Sequence, residues 1–247
     1  VRAIGDARLR FEEDKLRMLR AVRFAASFEF ELEASTRQAI EAMRDQILVV
    51  SPERIRDELQ KMLLHAHRAA AFRLARELGV LAVVLPELSP LEDATLELLA
   101  KLDAPTFPLA WAALVLDRFC TADAGELAHL EALCRRFKFS NDELNRVVWL
   151  VKHHASLDDA PNLPWSRWQP LLVEPGIYEL LDLLAARLRA AGRELAPVAD
   201  CRDKLALPAE QLDPPPLLDG NDLIAHGVPR GPVYKLLLAE VRAAQLD

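Results

Sequence analysis

EEDKLRMLRAVRFAAS, residues Glu12–Ser27, is the stretch whose reading decides the fold. At about 100° per residue, Leu16, Leu19, Val22 and Ala26 share one arc, with Met18 at its margin. Arg10, Glu13, Asp14, Arg17 and Arg20 share the other. That period predicts one amphipathic helix from about Glu12 to Ser27, docked on a core by one face. The other face presents two carboxylates and three guanidinia. Phe24 is an exception on the polar side, and Arg23 sits at the apolar edge. On a helix, Asp14 and Arg17 are neighbours three residues apart, able to point at one ligand. Such a pair is most often a solvated surface pair contributing about 0.2–0.5 kcal/mol, so its surroundings must supply any further meaning.

Working outward, the same period recurs to the end of the chain. A second helix is expected over 35–45. Ser51-Pro52 opens a third, with Ser at the N-cap and Pro at the first helical position. A fourth, over 69–78, stops at Gly79. Further helices are expected over 92–102, 108–119 and 125–136. Ser140 and Glu143 have the spacing of a capping box, opening a helix to about His154. Residues 158–164 read as a linker, followed by a long helix over 178–191, a proline-rich turn at Pro214–Pro216 and a terminal helix from about Pro232. Leu48-Val49-Val50 is too short to count as a strand. The fold class expected is all-α, a multi-helix array.

Composition agrees. Of the 247 residues, 51% are hydrophobic, 28% charged and 6% aromatic, with only 8 glycines, which suits a globular helical chain and excludes a disordered one. No apolar run reaches the roughly 18–20 residues that cross a bilayer. Cys120, Cys134 and Cys201 lie far apart, so the expectation is reduced core thiols in a cytoplasmic protein rather than zinc or disulfides. The net charge of −7 is unevenly spread: residues 1–80 carry 15 Lys+Arg against 13 Asp+Glu, and the remainder 16 against 25. A bound polyanion would sit on the N-terminal third. The chain opens at Val1-Arg2 straight into a dense motif, as if it were part of something longer.

That motif is the ordered series Arg2-Ala3-Ile4-Gly5-Asp6, Arg10-Phe11, Glu13-Asp14-x-x-Arg17, Leu19-Arg20-Ala21-Val22-Arg23-Phe24-Ala25, then Glu53-Arg54-Ile55 and Glu58-Leu59. It resembles the neck of class II tRNA nucleotidyltransferases (CCA-adding enzymes) and bacterial poly(A) polymerases. Where that family usually has proline, after Asp6 and often after Asp14, this chain has Ala7 and Lys15. The likeness continues through Gly79-Val80-Leu81, Leu85-Pro86-Glu87-Leu88, Gly220-Asn221-Asp222-Leu223-Ile224, Gly227 and Gly231-Pro232. It implies a neck over 1–65 for base recognition, a helical body over 66–157 and a helical, tRNA-gripping tail over 158–247.

The resemblance also implies that Asp14 and Arg17 pair with the Watson–Crick edge of an incoming nucleotide. Cytosine and adenine each set an amino donor beside a ring-nitrogen acceptor. An ionised Asp only accepts and an Arg only donates, so the pair fits CTP and ATP and leaves UTP or GTP with unpaired groups. Glu13, Arg20 and Arg23 are further nucleotide-binding candidates. Arg54 and Glu58 match an element that implies bracing of the neck, against the alternative of an ordinary ion pair at a helix end. The implied reaction is nucleotide addition to a tRNA 3′ end with Mg²⁺ held by a head domain that carries a Gly-Ser turn and an Asp-x-Asp pair. Neither motif occurs here, so these residues are expected to be inactive alone, with no catalytic residue among them. A poly(A) polymerase, or a non-catalytic helical RNA-binding module, remains the alternative.

Elsewhere, Arg135, Arg136 and Lys138 form a basic cluster that could touch an RNA backbone, although a solvated helix end explains it as well. His153 and His154 point about 100° apart on a helix and make a poor metal pair. Trp111, Trp149, Trp165 and Trp168 read as core anchors rather than stacking platforms.

Overall fold

The helix boundaries follow from side chains that satisfy the orphan N–H groups of first turns. In the computed structural model, which describes residues 1–228 and 231–247, Ser140 Oγ accepts from the Glu143 N–H (3.2 Å) while Glu143 accepts from the Ser140 N–H (2.8 Å). Asp6, Glu33, Thr106 and Asp123 cap other helices through their side chains. At Ser51 the backbone is extended as an N-cap requires, but its hydroxyl makes no capping bond. Gly79 lies at φ 70°, the left-handed conformation that lets one helix end and the next begin.

Among the described residues every regular element is helical. In order they are α1 (Ala7–Glu13), α2 (Arg17–Ser27), α3 (Ala34–Met43), α4 (Pro52–Leu64), α5 (Arg68–Glu77) and α6 (Val80–Val84). Then come α7 (Asp93–Lys101), α8 (Phe107–Val115), α9 (Ala124–Arg136), α10 (Asn141–His153) and α11 (Trp165–Leu172). The last are α12 (Ile177–Ala190), α13 (Ala196–Leu205), α14 (Ala209–Leu212), α15 (Gly220–Ala225) and α16 (Val233–Leu246). A 3₁₀ turn over Arg44–Val49 takes up the Leu48-Val49-Val50 run. Among the described residues no helix is long and apolar enough to cross a membrane.

The core is built around α8. Its sequence FPLAWAALV has no polar face, and α4, α7, α10 and α12 pack on it. Trp111 is fully buried and meets Phe107, Phe137 and Phe139 edge-on, with ring centroids 4.9–5.9 Å away. Truncating such a side chain costs about 3–5 kcal/mol. Arg56 of α4 lies over Phe107 and Phe139 (5.1 Å to each) and pairs with Glu143 at 2.5 Å, tying α4 to α10. Trp168 is buried like Trp111, whereas Trp149 and Trp165 are half-buried. Cys134 and Cys201 are buried, but Cys120 is exposed, which corrects the expectation of three core thiols.

The expected first helix is two. α1 ends at Glu13, Asp14 is extended (φ −150°, ψ 106°), and α2 begins at Arg17. The physical cause is local. Asp14 Oδ1 accepts the Leu16 N–H at 3.1 Å, a short-range bond that competes with the helical ladder. The apolar arc survives the break: Leu16, Met18, Leu19, Val22 and Ala26 are all buried. α2 packs on α4 and α5, and α1 on α3. One apolar core runs from Ala7 to Cys201.

Candidate nucleotide-binding site

Glu58 is the hinge of the site. It projects from α4 with its side chain 2% exposed, and three cations converge on it. Arg23 Nε donates at 2.8 Å, Lys61 Nζ at 3.1 Å and Arg20 Nε at 3.4 Å. Burial pushes the carboxyl pKa up, but the bonds from Arg23 and Lys61 outweigh it and leave the group below its ordinary range. Two arginines of α2 are thereby locked to α4.

Arg54, one turn earlier on α4, does not pair with Glu58. Its Nη2 reaches both Asp14 oxygens, at 3.0 and 3.2 Å. Asp14 is therefore held by Arg54 on one side and by the Leu16 N–H on the other. Arg17 donates to Glu13 at 2.5 Å and to the Arg10 carbonyl at 2.9 Å, and Arg10 also pairs with Glu13 at 2.7 Å. The hydrogen bond from Arg17 draws the Glu13 pKa down. Asp14 and Arg17 are thus joined across a turn rather than along one helix face: the Arg17 N–H donates to the Asp14 carbonyl at 3.1 Å. The helix-face geometry expected for this pair is corrected accordingly.

Above α2 lies a cleft of about 300 Å³ lined by Arg2, Arg10, Arg17, Arg20, Phe11 and Phe24, with Val1–Ile4, Ala21 and Thr36 completing the wall. The structure brings Arg10, Arg17 and Arg20 to this cleft. It places Asp14, Arg23, Arg54 and Glu58 outside the lining, in the bracing behind it. Arg2 and Phe24 join the site beyond the residues expected from sequence; the signal for Phe24 is an aromatic side chain on the polar arc of α2. Four guanidinia beside two aromatic rings can accept an anionic, planar ligand.

The other basic candidates are differently employed. Arg136 spends its guanidinium on Glu87 (2.8 and 2.9 Å) and the Val84 carbonyl (3.2 Å), and Arg135 pairs with Glu131 at 3.0 Å. Lys138 is exposed at a left-handed turn, φ 56°. Among the described residues no three His, Cys, Asp or Glu side chains are grouped to hold a metal ion.

Comparison with known proteins bears on this arrangement. Residues 29–92 match a family described as the probable RNA and SrmB-binding site of polymerase A. The CCA-adding enzyme of Lactobacillus johnsonii is 29% identical over 252 residues, covering all of this chain and 59% of that protein. The Lactobacillus gasseri CCA-adding enzyme is 30% identical over 254 residues, with the same coverage. Among solved structures, the Bacillus stearothermophilus CCA-adding enzyme in complex with CTP superposes with a TM-score of 0.67 at 25% identity, over 98% of this chain and 59% of that one. The Thermotoga maritima CCA-adding enzyme complexed with tRNA has the same fold, with a TM-score of 0.60 at 20% identity, over 97% of this chain and 58% of that one. The chain therefore spans somewhat more than half the length of the relatives it matches, and it belongs to the family of CCA-adding enzymes and bacterial poly(A) polymerases.

Proposed function

We propose that this chain selects the nucleotide and holds the RNA in a template-independent nucleotidyltransferase that adds CCA, or part of it, to tRNA 3′ ends. The observation that carries the reading is the cleft: Arg2, Arg10, Arg17 and Arg20 surround a space, and Arg17 is joined through its backbone N–H to Asp14, whose carboxylate, just behind the lining, is fixed by Leu16 and Arg54. Three of those arginines are positive counterparts for a triphosphate. Arg17 uses Nη1 for both of its side-chain bonds among the described residues, so Nη2 can donate to a ring nitrogen. Asp14 Oδ2 accepts only from Arg54 among the described residues and retains lone-pair capacity for an exocyclic amino group. A base read this way is cytosine or adenine, since uracil and guanine oppose a carbonyl to the carboxylate and an N–H to the guanidinium. CTP and ATP are the substrates proposed, and tRNA the partner.

Arg54 and Glu58 act one layer out. Arg54 fixes the direction of the Asp14 carboxylate, and Glu58 fixes α2, on which Arg17 and Arg20 stand. Two Mg²⁺ ions held by carboxylates would supply the transfer chemistry of this reaction class. The acidic groups described here do not assemble such a site, so no step of the transfer is assigned to them.

The test uses the whole protein that carries this chain. On a tRNA lacking its 3′ end, Asp14→Ala is expected to depress CTP and ATP incorporation by at least about tenfold, given that buried unpaired polar groups underlie the discrimination. Incorporation equal to that of the unmodified protein overturns the reading. Comparing CTP with ATP on the same primer separates CCA addition from poly(A) synthesis.

A further inference from the structure

Three phenylalanines at the end of α2 form a feature that the cleft uses only in part. Phe24 and Phe28 stack with ring centroids 6.2 Å apart and planes 21° from parallel; Phe28 and Phe30 follow at 5.8 Å and 27°. Their exposures are 41%, 59% and 60%, so the ladder stands in solvent. The backbone fixes it there. The Phe28 N–H donates to the Phe24 carbonyl (3.1 Å) and the Phe30 N–H to the Ala25 carbonyl (2.8 Å), while Glu29 adopts φ 53°. This is a Schellman-type helix end with a glutamate where glycine is usual. A contiguous aromatic surface held rigidly in the open marks a binding site.

Charge and position identify what would cover it. The Arg23 guanidinium lies 4.2 Å over the Phe24 ring, and Phe24 also lines the cleft beside Arg2, Arg10, Arg17 and Arg20. An apolar protein surface laid here would have to desolvate these cations. Unpaired nucleotides instead supply planar bases for the rings and phosphates for the guanidinia. Of the nearby carboxylates, Glu33 is turned back to cap α3 and Glu29 faces His67 at 3.7 Å, while Glu31 beside Phe30 is exposed.

We propose that Phe28 and Phe30, continuing from Phe24, stack the unpaired bases of an RNA 3′ end as it approaches the cleft. This rests on the cleft being the nucleotide site, because the end to be extended must arrive beside the incoming nucleotide.

The probe is a dye-labelled single-stranded oligoribonucleotide ending in CC, with an abasic oligonucleotide of equal length as control, read by fluorescence anisotropy on the full chain. Phe28→Ala with Phe30→Ala is expected to weaken binding of the based probe by about tenfold or more. The abasic probe should bind the variant and the parent chain alike. Replacing both with Trp should retain binding, whereas replacing both with Leu, apolar but without a flat face, should lose it as Ala does. Circular dichroism confirms folding. Unchanged binding of the based probe by the folded double-Ala variant overturns the proposal. So does full binding by the double-Leu variant, which would show that flat rings are not what holds the bases. An equal loss on the abasic probe also overturns it. The two readings fail separately. Weakened RNA binding in the ladder variants, together with an Asp14→Ala protein that still selects CTP and ATP normally, sinks the base-reading role and leaves the ladder standing.

Discussion

Replacing Glu58 with glutamine removes a charge at the point where α2 and α4 are joined, and the structure sets the size of the effect. The carboxylate is 2% exposed, and its partners Arg23, Arg20 and Lys61 are 18%, 43% and 55% exposed. Breaking a fully buried pair costs about 3–5 kcal/mol because a charge is left stranded. Here the stranded cations can turn toward water, and the two more exposed pairs contribute about 0–1 kcal/mol each. The Arg23 bond at 2.8 Å dominates, and Gln retains one acceptor for it. The expected loss is about 2 kcal/mol, or about 4–8 °C in Tm for a chain of this size. The effect depends on pH in a definite direction. The Glu58 pKa is lowered on folding from an ordinary value of 4.5, so its contribution is complete above that value and is lost as pH falls through the depressed folded value. Thermal melts followed by circular dichroism should therefore show a wide gap between parent and Glu58→Gln near neutral pH, closing in acid. Equal Tm values near neutral pH, or a gap that persists unchanged in acid, would refute the reasoning.

Gly79→Ala forces a left-handed alanine and sets its Cβ 2.7 Å from the Arg44 guanidinium, a flexible neighbour that can move. The backbone strain alone predicts a loss of about 1–2 kcal/mol in urea melts, with Gly79→Asn milder. Thiol labelling at mildly alkaline pH should modify Cys120 quickly and spare the other two cysteines until the chain is unfolded. Burial raises the Cys134 thiol to about 12 and the Cys201 thiol to about 11, and mass spectrometry counts the adducts.

Helices that carry their own end signals were legible in the sequence. α10 announces itself through Ser140 and Glu143, α4 through Pro52, and the end of α5 through Gly79. The break between α1 and α2 was not, because Lys15 stands where a proline would have given it away and Asp14 acts through its side chain. α6 is a five-residue apolar run, and α11 contains Pro170, which reads as a breaker. At the site, residue types were legible and partners were not. Arg54 and Glu58 sit one turn apart on α4, yet Arg54 reaches Asp14 forty positions away and Glu58 reaches Arg23 thirty-five away. Those pairings depend on how α2 packs against α4, and helical period alone does not encode that register. Arg136 shows the converse. Its basic cluster is real in sequence, but tertiary packing delivers Glu87 to neutralise it.

The account turns on Asp14 as an acceptor that reads an amino group. The most direct test is the ratio of CTP to UTP use by the whole protein on a tRNA lacking its end, measured for the parent and for Asp14→Asn. Asparagine keeps an acceptor and adds a donor, so it relieves the clash with the uracil carbonyl, while the uracil N–H still faces the Arg17 guanidinium. The account predicts a ratio that falls in the variant, chiefly because the neutral amide holds the cytosine amino group less strongly than the carboxylate does. An unchanged ratio would contradict it, and so would a loss of both nucleotides in equal measure.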